Sequence, residues 1–176
     1  NLGRGVIKIS AVKPEHYRIV APAMVFNNQE DVKEAYHKGL LNKDVVVVVR
    51  FQGPKANGMP ELHALTPILS NIQDMGFKVA LITDGRMSGA SGKVPSAIHV
   101  TPEAIDGGTI SKIQDGDKIE IDANIGKLNL NEDYSNRKIP KLEKDINVGF
   151  GRNLFSLLRK NAISAESGAG LNLIND

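Results

Sequence analysis

At 176 residues, with 41% hydrophobic and 24% charged residues, the chain has the composition of one soluble globular domain with room for a sizeable core. Its 22 basic and 20 acidic residues leave a net charge of +2 with no block of like charge, which argues against a nucleic-acid or membrane-surface partner. There is no cysteine, so neither a disulfide nor a thiolate-held metal can form within the chain, and the apolar run from Val45 to Val49 is far too short to cross a bilayer. The chain opens Asn1-Leu2-Gly3-Arg4-Gly5, with neither an initiator Met nor a secretion signal, and is expected to be cytoplasmic and a piece of something longer.

Strands are predicted over residues 6–10 and 17–25, both rich in β-branched side chains. Asn27 and Glu30 have capping-box spacing and predict a helix over 29–38 that Gly39 can end. Residues 45–51 are apolar on both faces, which suits a strand covered from both sides. A loop dense in Gly, Pro and Asn follows at 52–61. Thr66-Pro67 reads as N-cap and first helical position, with Ile68, Leu69, Ile72 and Met75 as the apolar stripe and Gly76 as the stop. Residues 78–83 read as the next strand, and a strand–helix–strand unit of this kind predicts a parallel pair.

The second half changes character. Thr101-Pro102-Glu103 predicts a short helix ended by Gly107-Gly108. Short strands are predicted over 110–113, 118–121 and 127–130, around turns at Asp115-Gly116-Asp117 and Asn124-Ile125-Gly126. Residues 131–148 are polar and loop-like, and Leu154, Leu157 and Leu158 mark a final helix. The sum is a single mixed α/β domain over 1–176, an early crossover unit followed by a β-meander.

Chemistry concentrates in Thr83-Asp84-Gly85-Arg86-Met87-Ser88-Gly89-Ala90-Ser91-Gly92-Lys93, which follows a strand and packs glycines, serines and cations into one turn. Glycine lets backbone N–H groups approach an anion, and Ser88 offers a hydroxyl beside the strand end. The spacing is neither a Walker A loop nor a nucleophile elbow. Glu61 stands in the other polar loop, where a solvated carboxylate is its plain alternative, and His63 and His99 read as isolated surface or core histidines. Two Gly-rich loops after successive strands place a cleft at one sheet edge, suited to a small polar anion. Lys55, Asn57, Arg86 and Lys93 are the residues that could surround it, unless they are ordinary surface side chains.

Long motifs then carry a resemblance. Phe51-Gln52-Gly53-Pro54-Lys55-Ala56-Asn57-Gly58-Met59-Pro60-Glu61-Leu62 and the Thr83-to-Pro95 loop resemble the C-terminal domain of the dihydroxy-acid/phosphogluconate dehydratase family. His99-Val100-Thr101-Pro102-Glu103-Ala104, Asp115-Gly116-Asp117 and Ala165-Glu166-Ser167-Gly168-Ala169 extend the match over essentially the whole chain. Gln52, Ala56-Asn57 and Met87 with Ala90-Ser91 follow the phosphogluconate pattern rather than the branched-chain one. Ala90 stands where other members place a Thr, so any role of that hydroxyl is not carried over unless Ser91 substitutes.

The resemblance implies a swivelling β/β/α domain, a partly open mixed β-barrel with flanking helices. It would close over the protein's own N-terminal domain, which supplies the cysteines of an iron–sulfur cluster, of 4Fe-4S type, and most ligands of a Mg²⁺. It implies Ser88 as catalytic base and Glu61 as the metal ligand reaching across. It makes Lys55, Asn57, Arg86, Ser91 and Lys93 the substrate-binding candidates. The implied reaction is dehydration of 6-phosphogluconate in the Entner–Doudoroff pathway by a homodimeric enzyme, with this domain inactive alone. The alternatives are a domain of another sugar-acid or dihydroxy-acid dehydratase, or a stand-alone binding module that kept the fold without the chemistry.

Overall fold

A computed structural model describes residues 2–88, 92–140 and 152–172. Its organising element is β3 (Val45–Val49), five valines with no exposed face. Side chains alternate along a strand, so Val46 and Val48 enter one core with Ala21, Ala23, Ile82 and Ile119. Val45, Val47 and Val49 enter a second core with Val32, Leu65, Leu69 and Ile72. A strand that is apolar on both faces requires cover on both, and the two cores provide it.

The described residues form a seven-stranded sheet. Besides β3 it contains β1 (Arg4–Lys8), β2 (Arg18–Phe26), β4 (Val79–Thr83), β5 (Ser96–Thr101), β6 (Lys118–Asp122) and β7 (Lys127–Leu130). The order is β1-β5-β4-β3-β2-β6-β7. The central four strands are parallel, while β1 runs antiparallel to β5, β6 to β2 and β7 to β6. The sheet curls until Leu2 N–H, just ahead of β1, donates to Leu128 O in β7 at 3.3 Å. Beyond that bond the edges part around a cavity of about 490 Å³ lined by Gly3, Gly5 and Ile125. The result is the expected partly open mixed barrel. One core fills its interior, and the other lies under α1 (Gln29–His37) and α3 (Leu65–Asp74) on the outside.

Four local expectations are corrected. Helix α1 is capped by Asn28, whose Oδ1 accepts from Asp31 N at 2.9 Å, because the Asn27 side chain is held by Arg50 Nε at 2.8 Å. Helix α3 begins at Leu65 without a side-chain cap, since Leu65 N already donates to Leu62 O, and Thr66 Oγ1 is buried rather than capping. Thr109–Lys112 is a 3₁₀ turn, not a strand. A three-residue period brings Ile110 and Ile113 to the same side, and both enter the barrel core. The expected short helix after Pro102 is a 3₁₀ turn at Ala104–Asp106.

Strand β5 was not predicted, because Ser96, His99 and Thr101 interrupt its apolar pattern. Two short helices remain, α2 (Pro54–Asn57) and α4 (Ser156–Lys160). The final helix is present, but Leu154 and Leu157 beside and within it are 72% and 65% exposed. Residues 131–140 carry no regular element, and 141–148 of the expected polar arm lie outside the described residues.

Candidate active site

Parallel pairing of β3 with β4 puts Val49 beside Thr83, so the loops leaving these strands start side by side at one sheet edge. Asp84 ties them together. Its buried carboxylate accepts from Gln52 N at 2.8 Å, Phe51 N at 3.1 Å and Ala104 N at 2.9 Å. Burial pushes its pKa up, and the three backbone donors oppose that rise. Glu103 serves α2 in the same way: its two oxygens accept from Lys55 N and Ala56 N at 3.1 Å each, the orphan donors of a helix start. Burial raises its pKa as well, ahead of the two backbone bonds that lower it.

This packing leaves no room for side chains at two glycines. A Cβ on Gly53 would lie 2.3 Å from Glu103 Oε2, and one on Gly85 would lie 2.7 Å from Gln52 Cβ. Around the same loops Phe51, Met59 and His99 hold φ values of 62°, 56° and 56°. Non-glycine residues adopt this conformation at an energetic cost, and such residues gather at functional sites.

Glu61 and Arg86 come from the two loops and meet as an isolated parallel bridge. Leu62 N donates to Arg86 O at 3.0 Å, Arg86 Nε donates to Met59 O at 3.0 Å, and Arg86 Nη1 lies 3.4 Å from Glu61 Oε2. Ser88, half-buried, follows two residues on. Its carbonyl accepts a hydrogen bond from Lys8 Nζ at the end of β1. Burial lowers the Lys8 pKa, and the charge of Glu61 opposes that fall. His99 N donates to Gly85 O at 2.9 Å, and burial together with Arg86 lowers the imidazole pKa, favouring the neutral ring.

The structure thus brings Glu61, Arg86 and Ser88 together, and adds Lys8 and His99. Lys8 carried no signal, being a lone cation at the end of a strand remote in sequence. His99 carried one only in hindsight, as a polar residue inside an apolar strand.

The remaining candidates divide. Asn57 Nδ2 donates to Gln52 Oε1 at 2.8 Å and Asn57 lines a cavity of about 530 Å³ next to Met59. Lys55 Nζ is engaged by Asp106 Oδ2 at 2.6 Å. Lys93 Nζ is engaged by Asp74 at 2.6 Å, at the C-terminal end of α3, whose chain leads directly into the start of β4. Ser88 follows the other end of β4, and its carbonyl is held by Lys8. Ser91 lies outside the described residues.

Among the described residues, no three His, Asp or Glu side chains gather as a metal site. Glu61 can therefore offer one oxygen ligand, and any metal here would complete its shell from elsewhere. No helix of the described residues is long and apolar enough to cross a membrane.

Residues 1–169 match the family described as dihydroxy-acid/6-phosphogluconate dehydratase, C-terminal. Over 172 residues the chain is 54% identical to the phosphogluconate dehydratase of Pseudomonas aeruginosa, covering 96% of this chain and 28% of that protein. It is 56% identical over 174 residues to the phosphogluconate dehydratase of Escherichia coli K12, covering 96% and 29%. A dihydroxy-acid dehydratase of Caldanaerobacter subterraneus is 47% identical over 126 residues, 71% of this chain and 22% of that protein. The chain spans less than a third of the length of these relatives.

Proposed function

The chain belongs to the dihydroxy-acid/6-phosphogluconate dehydratase family, and from that premise we propose that it is the C-terminal domain of a cytoplasmic, homodimeric 6-phosphogluconate dehydratase. This Entner–Doudoroff hydro-lyase removes water from 6-phospho-D-gluconate to give 2-dehydro-3-deoxy-6-phosphogluconate. One observation carries the reading: Glu61 and Arg86, from the two loops, pair at 3.4 Å, two residues ahead of Ser88. It stands in a chain 54% identical over 172 residues to a protein named phosphogluconate dehydratase.

The chain's own residues divide the work. Ser88 takes the proton from the carbon next to the substrate carboxylate. A serine hydroxyl is a poor base in water, and fixed positive charge nearby favours its alkoxide. Lys8 and Arg86 supply that charge, and Lys8 also holds the Ser88 loop through its carbonyl. His99, kept towards neutrality, is suited to hydrogen-bonding a substrate hydroxyl rather than adding another charge. Glu61 would give one oxygen to a Mg²⁺ whose other ligands come from the remainder of the enzyme, as would every ligand of an iron–sulfur cluster, since this chain has no Cys. When bound, the two would supply Lewis acidity towards the substrate carboxylate and the departing hydroxyl.

The test is to follow keto-acid formation from 6-phosphogluconate by the full-length enzyme, by its Ser88→Ala variant and by the 176-residue chain alone. Turnover by the full-length enzyme only is expected. Turnover by the isolated chain would refute the half-site reading, and full activity of Ser88→Ala would refute the base.

A further inference from the structure

The cavity of about 530 Å³ lies between the turn Pro54–Asn57 with its successors Gly58 and Met59, and the α4 segment from Arg152 to Arg159. We propose that this cavity holds the terminal phosphate of the substrate, with Arg152 and Arg159 as its cationic ligands. The proposal rests on the dehydratase reading above.

Three observations point there. The first is charge. Among its described lining residues the cavity has two guanidiniums and no carboxylate, with Phe155, Leu158 and Leu171 completing the wall. Arg159 is only 7% exposed, and its Nη2 donates to Arg152 O at 2.9 Å, which fixes the planar group against the wall. Burial and the charge of Arg152 both lower the Arg159 pKa, so each guanidinium feels the other. An anion between them is attracted by both, and the guanidinium fork matches phosphate oxygens in pairs.

The second is position. Met59 belongs to the cavity wall, and its carbonyl also receives Arg86 Nε at 3.0 Å. Met59 and Glu61 are two residue steps apart, a span of at most about 7 Å. Five staggered carbon–carbon bonds of about 1.5 Å each cover a similar length. A six-carbon acid with its carboxylate end near Glu61 and Ser88 therefore has the reach to place its far end in the cavity.

The third is elimination. The lysines of the two Gly-rich loops are occupied, Lys55 by Asp106 and Lys93 by Asp74, each at 2.6 Å. Asn57 spends one amide hydrogen on Gln52 Oε1 and, being neutral, brings no charge to an anion.

The experiment uses the full-length enzyme with Arg152→Gln and Arg159→Lys variants. Turnover of 6-phosphogluconate and of gluconate is measured, with inorganic phosphate as inhibitor. Arg152→Gln should raise KM for 6-phosphogluconate and the inhibition constant for phosphate about tenfold each, and leave kcat/KM for gluconate within twofold. Arg159→Lys, which keeps the charge and loses the fork, should fall between wild type and Arg152→Gln. Equal losses on both substrates would overturn the proposal. So would a lowered melting temperature with unchanged phosphate inhibition, which would assign the arginines to a carboxylate of the rest of the enzyme. If the wild type fails to dehydrate 6-phosphogluconate, the dehydratase reading falls on its own. Calorimetric binding of inorganic phosphate to wild type and Arg152→Gln then decides the cavity separately: equal affinities refute it.

Discussion

Gln52 Oε1 accepts a hydrogen bond from Asn57 Nδ2 at 2.8 Å, so two of the three residues that set the first loop apart from the branched-chain pattern are partners. Gln52 is 4% exposed, and its Nε2 donates to Asn27 O at 2.7 Å. One amide thus joins the end of β2 to the substrate loop. Replacing Gln52 by Leu keeps the volume and strands both partners. A buried polar group left without its bond costs about 1–3 kcal/mol. Urea denaturation of the chain should report a loss of that size for Gln52→Leu and less for Asn57→Ala, whose site is half-exposed.

Gly85 supports the same wall from behind. A Cβ there would meet Gln52 Cβ at 2.7 Å and Gln52 O at 3.0 Å, both within a segment that Asp84 holds by its backbone. Neither neighbour can yield without breaking the tie between the loops. Overpacking of this kind costs about 1–3 kcal/mol. Gly85→Ala should show that loss in denaturation and a fall in kcat of the full-length enzyme. Wild-type activity at unchanged stability would show that the loops are not rigidly coupled.

Much of this was legible beforehand because it is local. The five valines of β3, the β4 run and the alternation in β6 and β7 carry their own strand signal. The loops after successive strands were likewise expected side by side, and the Glu61–Arg86 bridge joins them. The illegible parts depend on distant partners. Lys8 and Ser88 are 80 residues apart, and only the antiparallel pairing of β1 with β5 brings them together. Asp84 looked like one more loop residue, although it accepts from three backbone N–H groups on two segments. Lys93 stands beside the motif in sequence, and its ion pair with Asp74 at the end of α3 could not be read from the loop alone.

Glu103 should leave a signature in the pH dependence of stability. Burial raises its pKa in the folded state above the ordinary value of 4.5. As pH falls, the native state binds this proton before the unfolded state does. Its contribution is therefore fully present below the unfolded pKa and is lost as pH rises through the folded pKa. The stability difference between wild type and Glu103→Gln should shift in favour of wild type as pH is lowered from 7 towards 4.5. Thermal melts across that range check it, and a difference independent of pH would show that burial does not perturb Glu103.

Lys8 and Lys93 contrast in their partners, since Lys8 holds the Ser88 carbonyl and Lys93 pairs with Asp74. Lys8 Nζ binds the Ser88 carbonyl and feels Glu61, so Lys8→Met removes both a loop anchor and a positive charge beside the proposed base. Removing one preorganised charge of this kind lowers kcat by about 10²–10³. Because the charge also favours ionised Ser88, the rising limb of the kcat–pH profile should move to higher pH in Lys8→Met. Lys93→Ala breaks an exposed pair with Asp74 at the end of α3, an interaction worth about 0–1 kcal/mol. Its kcat and its KM for 6-phosphogluconate should stay within twofold of wild type. If Lys93→Ala impaired turnover and Lys8→Met did not, the cleft would have to be redrawn around Lys93.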